Sequence, residues 1–184
     1  MSFFGMQESV EHYTPAYIWK RAVLTMGEID VDPASDGKNV SATVHYTKED
    51  DGLAQPWIGR VWLNPPFGNG ITLWFEKLAH EFSKGNTTEA VVLWKSAMET
   101  RAMRILMDIP EYRCSAVPRR RISFMPGGYK KRAGGGDSPT FTPLLHYFGQ
   151  NDEKFKRVFG DIADLWVCIH HGNSNQGRIE NGTV

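Results

Sequence analysis

Apolar positions recur along the chain with two periods, one typical of helices and one typical of buried strands. The clearest helical period runs over 71–82, where six apolar side chains fall on one face. A second runs over 15–26, with Thr14 as its expected cap and Gly27 as its expected stop. Two shorter helices are predicted over 98–107 and 153–159.

Runs of consecutive apolar or β-branched residues predict the strands between these helices. They cover 28–31, 40–46, 60–63, 90–94, 113–117, 141–148 and 165–169. Because strands alternate with helices, we predict an α/β sandwich with a mainly parallel sheet. Trp57, Trp62 and His146 lie in or beside these apolar runs, so we assign their side chains to the core.

Two unusual loops follow predicted strands. One is Asp32-Pro33-Ala34-Ser35, and the other is Asn64-Pro65-Pro66-Phe67. Ligands of parallel sheets bind beyond the carboxyl ends of the strands. We therefore expect the two loops to form one site.

The loop of residues 64–67 has the groups needed to activate a planar amine. The Asn64 side chain and the Pro65 carbonyl offer two hydrogen-bond acceptors, which Pro65 and Pro66 hold in place by restricting the backbone. Accepting both N–H bonds frees the nitrogen lone pair for attack on a methyl sulfonium. Phe67 offers a flat apolar face for a base that has left its stack. We predict that these four residues are catalytic.

The bulk composition is that of a globular protein without a general affinity for polyanions. Its 184 residues fit one domain, which we expect over 1–171, with a polar and disordered tail over 172–184. The 21 basic and 21 acidic residues give a formal net charge of zero. Any contact with nucleic acid must therefore come from local clustering of charge.

The chain has no feature that predicts export, a membrane span or a metal site. Residues 1–5 are too short and too uncharged for a signal peptide, and no apolar run has membrane-spanning length. Cys114 and Cys168 are far apart in the sequence, and no histidine has a partner at metal-ligand spacing. We expect a cytoplasmic protein without a metal ion.

One dense cluster of positive charge occurs in this neutral chain. Six basic residues lie within 119–132, and no acidic residue lies among them. The residues expected to contact phosphates of a nucleic acid are Arg119, Arg120, Lys130, Lys131 and Arg132. Arg121 precedes the apolar Ile122 and Phe124, so we expect it to anchor the structure. The alternative for the cluster is a solvated basic loop.

Several short motifs also occur in an order and spacing that are specific when taken together. They are Thr14-Pro15; residues 30–35 with Asn39; residues 50–53 with Trp57 and Gly59; residues 61–67; Trp74, Lys77 and Leu78; residues 121–124; and Ser138-Pro139. Over about residues 12–160 the chain resembles the phage-type Dam family of DNA N6-adenine methyltransferases. Only the Asn-Pro-Pro-Phe string is specific by itself.

The resemblance implies a Rossmann-like fold, an S-adenosyl-L-methionine cofactor and methylation of adenine N6 in double-stranded DNA. It also implies a bacterial or prophage setting, such as restriction-modification. The chain departs from the usual pattern in its cofactor loop, since the Gly-rich turn of most amino-methyltransferases is replaced by residues 32–37 with one glycine. Only about 30 residues separate this turn from the catalytic loop, so we expect a compact or shortened variant.

The residues expected to bind the cofactor are Thr14, Asp30, Asp32, Pro33 and Ser35. Asp30 or Asp32 would hydrogen-bond the amino group or ribose of the cofactor, and Thr14 would cap the site. The alternative for Asp32-Pro33 is an ordinary Asx-turn without a ligand.

Two other functions remain open at this point. Asn-Pro-Pro-aromatic loops also serve cytosine N4 and protein glutamine methylation, because all of these acceptors present a planar NH₂ group. The second alternative is a DNA-binding module whose cofactor turn has decayed, which the single glycine of that turn motivates. The sequence does not indicate the recognition sequence or the oligomeric state.

Overall fold

The structure is a computed structural model that describes residues 12–66, 68, 70–126 and 142–167. Its four helices are α1 (Ala16–Met26), α2 (Ile71–Ser83), α3 (Arg101–Met107) and α4 (Asp152–Phe159). Its nine strands are β1 (His12–Tyr13), β2 (Val31–Asp32), β3 (Val44–His45), β4 (Gly59–Leu63), β5 (Thr87–Lys95), β6 (Tyr112–Pro118), β7 (Met125–Pro126), β8 (Pro143–Phe148) and β9 (Ala163–Val167).

Seven strands form one mixed sheet in the order β3-β2-β4-β5-β8-β6-β9. The strands β3, β2, β4 and β5 pair in parallel, whereas β8 is antiparallel to β5 and β6, and β9 is antiparallel to β6. The expected mainly parallel sheet is therefore corrected to three parallel and three antiparallel pairings. The alternation of helices and strands does not specify that β8 enters the sheet between β5 and β6.

Helices cover both faces of this sheet, which confirms the predicted α/β sandwich. On one face α1 and α4 bury Ile18, Ala22, Phe155 and Phe159. On the other face α2 and α3 bury Phe75, Leu78, Met103 and Leu106. The interior strand β8 is buried at every position. Burial on both faces explains why such strands are continuous apolar runs in the sequence.

The helices lie close to their predicted positions, with differences at the ends. Helix α3 begins at Arg101 rather than at 98, because the Thr100 hydroxyl accepts a hydrogen bond from the Met103 N–H at 3.2 Å and caps the helix there. Helix α1 ends before Gly27, whose φ of 94° suits glycine and whose N–H donates to the Val23 carbonyl.

The short strands differ most from the prediction. β2 and β3 have two residues each, where runs over 28–31 and 40–46 were expected. Between β2 and β4 the chain forms only β3, in agreement with the expected shortened variant. β1 and β7 were not predicted; they pair as a separate antiparallel ribbon, with Tyr13 opposite Met125. A two-residue strand is too short to leave a periodic pattern.

The predicted core side chains are buried. Trp57 and His146 are fully buried, and Trp62 is 1% exposed. His146 Nδ1 lies 2.7 Å from the Ser115 hydroxyl, and burial lowers the pKa of His146 to about 3, so the ring is neutral. The prediction of a core histidine is confirmed, but the ring is satisfied at Nδ1 alone, since Nε2 is buried and has no hydrogen-bond partner among the described residues.

Some predictions concern residues outside the described part of the chain. These are the stacking role of Phe67, the contacts of Lys130, Lys131 and Arg132, the position of Cys168 and the tail over 172–184. Within the described residues, no helix is long and apolar enough to cross a membrane.

Candidate active site

The strand order predicts a crevice outside the carboxyl ends of β2 and β4, where the connections of these neighbouring strands diverge. From β2 the chain continues to β3 on one side, whereas from β4 it continues through α2 to β5 on the other. Diverging connections of this kind leave space for a ligand. Asp32 ends β2, and Asn64 follows the last residue of β4, so the two unusual loops are brought together at this crevice.

Asn64 presents an unused acceptor here. Its Nδ2 donates to the Thr14 hydroxyl at 3.2 Å. Its Oδ1 is inaccessible to solvent and has no hydrogen-bond partner among the described residues. Leaving a buried polar atom unsatisfied costs about 1–3 kcal/mol, so native proteins rarely do so without a functional reason. This oxygen is therefore a hydrogen-bond acceptor that no described residue uses.

Thr14 contacts Asn64 and does not cap helix α1, contrary to our expectation. The N-cap of α1 is Pro15, and no side chain accepts from the first helical amides. Thr14 is only 1% exposed, and its carbonyl accepts from Asn39 Nδ2 at 3.3 Å. The loop that follows β2 is thereby linked through Thr14 to the loop that begins at Asn64.

The two prolines end β4 because they cannot donate to the strand ladder. Pro65 is buried and Pro66 is exposed. The prolines, whose backbone is restricted, come one residue after the buried pair Trp62 and Leu63. This buried pair fixes the position of the loop on the sheet. Phe67 lies outside the described residues, so its stacking role stays a prediction.

Asp32 is a buried carboxyl at the other side of the crevice, with 3% exposure. Its Oδ1 accepts from the Ala34 N–H at 3.3 Å, so the Asx-turn that was the alternative to a cofactor role is present. Burial raises the pKa of Asp32 to about 7, because desolvation of the charged form outweighs this hydrogen bond. A buried carboxyl with a perturbed pKa beside a crevice is a candidate for binding a polar or cationic ligand.

The residues after Asp32 form a compact turn. Pro33 is buried, and the Ser35 N–H donates to the Tyr46 carbonyl at 3.0 Å. The Ser35 hydroxyl accepts from the Gly37 N–H at 2.9 Å and lies 3.2 Å from His45 Nδ1. The hydroxyl expected to bind cofactor is thus already used within the turn.

The sequence-based reasoning missed His45. It pairs directly with Asp32 in the β2–β3 register and therefore lies at the same crevice. A single histidine in a weakly periodic segment gives no signal in one sequence, so only the pairing of the strands reveals its position.

The acidic loop over 48–52 supports the Asp32-Pro33 turn. Gly52 is buried against this turn, and a Cβ at position 52 would lie 1.9 Å from the Pro33 carbonyl oxygen. The Gly52 carbonyl accepts from Trp57 Nε1 at 2.8 Å, which fixes the loop to a core residue. The Asp50 carboxylate accepts from the Thr47 N–H and hydroxyl, each at 2.8 Å, and so closes the loop.

Substituting Gly52 by alanine is expected to displace this turn. The new methyl group would meet a backbone carbonyl that cannot rotate away, which costs about 1–3 kcal/mol or more. Thermal denaturation should show a lowered Tm for Gly52→Ala. Gly70→Ala serves as the control, since a Cβ there has no atom of the described residues within 4 Å. Equal melting temperatures for the two variants would show that the turn accommodates the new methyl group without a loss of stability.

Asp30 is engaged by Arg60 and is not left free for a ligand. Its Oδ2 accepts from the Arg60 backbone N–H and from Nε, each at 2.7 Å, and its Oδ1 accepts from Nη2 at 2.9 Å. The hydrogen bond from the Arg60 side chain holds the pKa of Asp30 below its ordinary value. Asp30 therefore joins β2 to β4, and we withdraw it from the cofactor residues.

The arginines after β6 lie at the same edge of the sheet as Asn64, because β6 has the same direction as β4. Arg119 is tied to β9: its Nε donates to Asp164 at 2.8 Å, and its backbone N–H donates to the Ile162 carbonyl at 2.9 Å. The anchoring role expected of Arg121 thus falls to Arg119. Arg120 and Arg121 are exposed and make no ion pair with a described residue.

Comparison with known proteins agrees with the chemistry of this site. The model of the DNA N-6-adenine-methyltransferase (Dam) family matches residues 7–159, a range that contains Thr14, Asp32, Asn64 and the basic cluster. No curated protein matches the chain at a significant level. The family match covers most of the chain and confirms the resemblance found in the sequence.

Proposed function

The chain belongs to the DNA N-6-adenine-methyltransferase (Dam) family, and on this basis we propose that it transfers a methyl group from S-adenosyl-L-methionine to adenine N6 in double-stranded DNA. The observation that supports this most is the buried Oδ1 of Asn64, which has no hydrogen-bond partner among the described residues. We also propose a Rossmann-like methyltransferase architecture, because the connections diverge at this crevice between β2 and β4.

Residues of the catalytic loop would act on the adenine amine by accepting its two N–H bonds. Asn64 Oδ1 would accept one of them, and the Pro65 carbonyl would accept the other. Both acceptors are fixed before the base arrives, so little reorganisation is needed in the transition state. Phe67 would stack on the extruded base, an arrangement that suits every enzyme that must remove a base from a duplex.

The residues at the crevice fit the proposed cofactor. When bound, S-adenosyl-L-methionine supplies an electrophilic methyl group on a positively charged sulfur. The buried carboxyl of Asp32 would bind its amino group or ribose hydroxyls, and the Pro33-Ser35 turn would form the adjoining wall. Burial raises the pKa of this carboxyl to about 7, so a cation or a hydrogen-bond donor that favours its charged form would bind well here.

Other acceptors are less well supported. The family match favours adenine over cytosine N4 or a protein amide. A DNA-binding module with a decayed cofactor site remains the second candidate, because the turn over 32–37 has a single glycine. Calorimetric titration with S-adenosyl-L-methionine separates the two, since a decayed site would release no heat of binding.

The proposal is tested by incubating the protein with labelled S-adenosyl-L-methionine and duplex DNA of mixed sequence. Digestion to nucleosides and chromatography should place the label in N6-methyldeoxyadenosine. A single-stranded substrate of the same sequence tests the requirement for a duplex. Label in N4-methyldeoxycytidine, or on protein, would contradict the proposed acceptor.

We further propose that the basic cluster contacts DNA phosphates through Arg120, Lys130, Lys131 and Arg132. Phosphate contacts release counterions, so affinity falls with salt at a slope of about −0.9 per contact in a log–log plot. Replacing Lys130, Lys131 and Arg132 by serine should reduce this slope by up to about three units. Fluorescence anisotropy with a labelled duplex at several salt concentrations measures the change.

The control removes the same charge from helices outside the basic cluster. Lys84 is the C-cap of α2, and Lys154 and Arg157 lie in α4. Their replacement by serine should leave the salt slope close to that of the wild type. If both triple variants change the slope equally, then only net charge matters and the basic cluster is a solvated surface.

A further inference from the structure

We propose that Thr14 is a positioning residue that orients the Asn64 side-chain amide so that its oxygen faces the target amine. The inference rests on the proposed function, and it gives Thr14 a role different from capping the cofactor. The contact that supports it joins two residues 50 positions apart in the sequence, the Thr14 hydroxyl and Asn64 Nδ2, at 3.2 Å.

The orientation of Asn64 matters because its two ends have opposite hydrogen-bonding properties. An amide oxygen accepts from the target amine, whereas an NH₂ group would oppose the N–H bonds of that amine. The Thr14 hydroxyl holds one end of the amide by a hydrogen bond, and burial decides which end that is. With Nδ2 on the Thr14 hydroxyl, the oxygen and one N–H of the amide have no described partner, whereas turning the amide round would leave both N–H donors without one. Unpaired buried donors are rarer than under-used acceptors in folded proteins.

Thr14 itself is held from three directions. Its carbonyl accepts from Asn39 Nδ2 in the loop after β2. Before it, Tyr13 pairs with Met125 in the β1–β7 ribbon, and after it the chain enters α1. With 1% exposure, the side chain has little freedom to rotate. A fixed hydroxyl at this distance restricts the amide of Asn64 more than a mobile one would.

The test compares kcat, KM and cofactor affinity in Thr14 variants of the full chain. Thr14→Val has nearly the same shape and lacks the hydrogen bond, and we expect kcat to fall about tenfold. Affinity for S-adenosyl-L-methionine, measured by calorimetry, should change by less than about twofold. Thr14→Ser should restore most of kcat, because serine keeps the hydroxyl.

Thr25→Val is the matched control. Thr25 is also fully buried, and its hydroxyl donates to the Arg21 carbonyl within α1, away from the catalytic loop. This variant should keep the wild-type kcat even if its Tm falls. If Thr14→Val does not fold, Thr14→Cys provides the same comparison, since a thiol is a weak donor and acceptor of similar size.

A second experiment separates the orientation of the Asn64 amide from a general stabilisation of the loop by Thr14. In an Asn64→Asp background the two carboxylate oxygens are equivalent, so no orientation has to be chosen. Adding Thr14→Val there should lower kcat by less than about twofold. An equal loss in both backgrounds would overturn the inference, as would a wild-type kcat in Thr14→Val or a loss of cofactor affinity with unchanged kcat. A wild-type protein without adenine methylation would instead contradict the proposed function, and with it this inference.

Discussion

Replacing Asn64 by alanine is expected to lower kcat by about 10²–10³-fold while leaving S-adenosyl-L-methionine affinity nearly unchanged. The substitution removes the acceptor that we propose for the target amine, and that interaction strengthens only as the amine is activated. A loss of this kind appears in kcat and kcat/KM together, not in ground-state binding. Steady-state methylation of duplex DNA, with calorimetry for the cofactor, measures both quantities.

Asn64→Asp provides the conservative comparison for this prediction. A carboxylate keeps an acceptor at the same place, because either of its two oxygens can face the target amine. We therefore expect this variant to retain at least about a tenth of the wild-type kcat. Wild-type turnover in Asn64→Ala would remove Asn64 from the catalytic residues. Equal losses in both variants would show that the loop needs the asparagine for its shape.

Replacing Asp32 by asparagine is expected to stabilise the protein at pH 8. The pKa of Asp32 is raised by burial from its ordinary value of 3.8 to about 7. Ionisation is then easier in the unfolded chain than in the folded one. As pH rises from about 4 to about 7, this group therefore lowers the free energy of unfolding, and above pH 7 its contribution stays constant. Three pH units correspond to an upper limit of about 4 kcal/mol.

Asparagine at position 32 has no charge to bury and can still accept from the Ala34 N–H. The difference in unfolding free energy between Asp32→Asn and the wild type should grow between pH 4 and pH 7 and then level off. Urea denaturation at several pH values measures this difference. Asp51→Asn is the control, because Asp51 is exposed and its φ of 50° suits asparagine equally well.

Cofactor affinity should change in the opposite direction. If Asp32 binds S-adenosyl-L-methionine as a carboxylate, Asp32→Asn should weaken binding while it raises stability. Such an exchange of stability for binding is typical of functional sites. Unchanged affinity in a stabilised variant would show that the buried carboxyl has no part in cofactor binding, and a destabilised variant would show that the turn needs its charge.

Local patterns in the sequence were sufficient to predict much of the fold. The helix over 71–82 has a strong apolar face, and its predicted end lies within one residue of the observed end. A helix of that length has enough turns for the spacing of its apolar residues to mark the face that is buried. The strand β4 was predicted as the run 60–63 and is observed as Gly59–Leu63. The end is predicted well because two consecutive prolines cannot continue a central strand. The ribbon of β1 and β7 and the antiparallel place of β8 depend on pairing between distant segments, which leaves no local pattern.

The sequence by itself determined the chemical groups at the site and their position at strand ends. Asn64 and Asp32 follow buried strands, and that local property is sufficient to place them at one edge of the sheet. Only the tertiary structure decided which partner each side chain meets. Thr14 reaches Asn64, Asp30 reaches Arg60 and Arg119 reaches Asp164 across separations of 50, 30 and 45 residues. The order of strands in the sheet sets these contacts, and a hydrogen bond between distant segments forms only after that order exists.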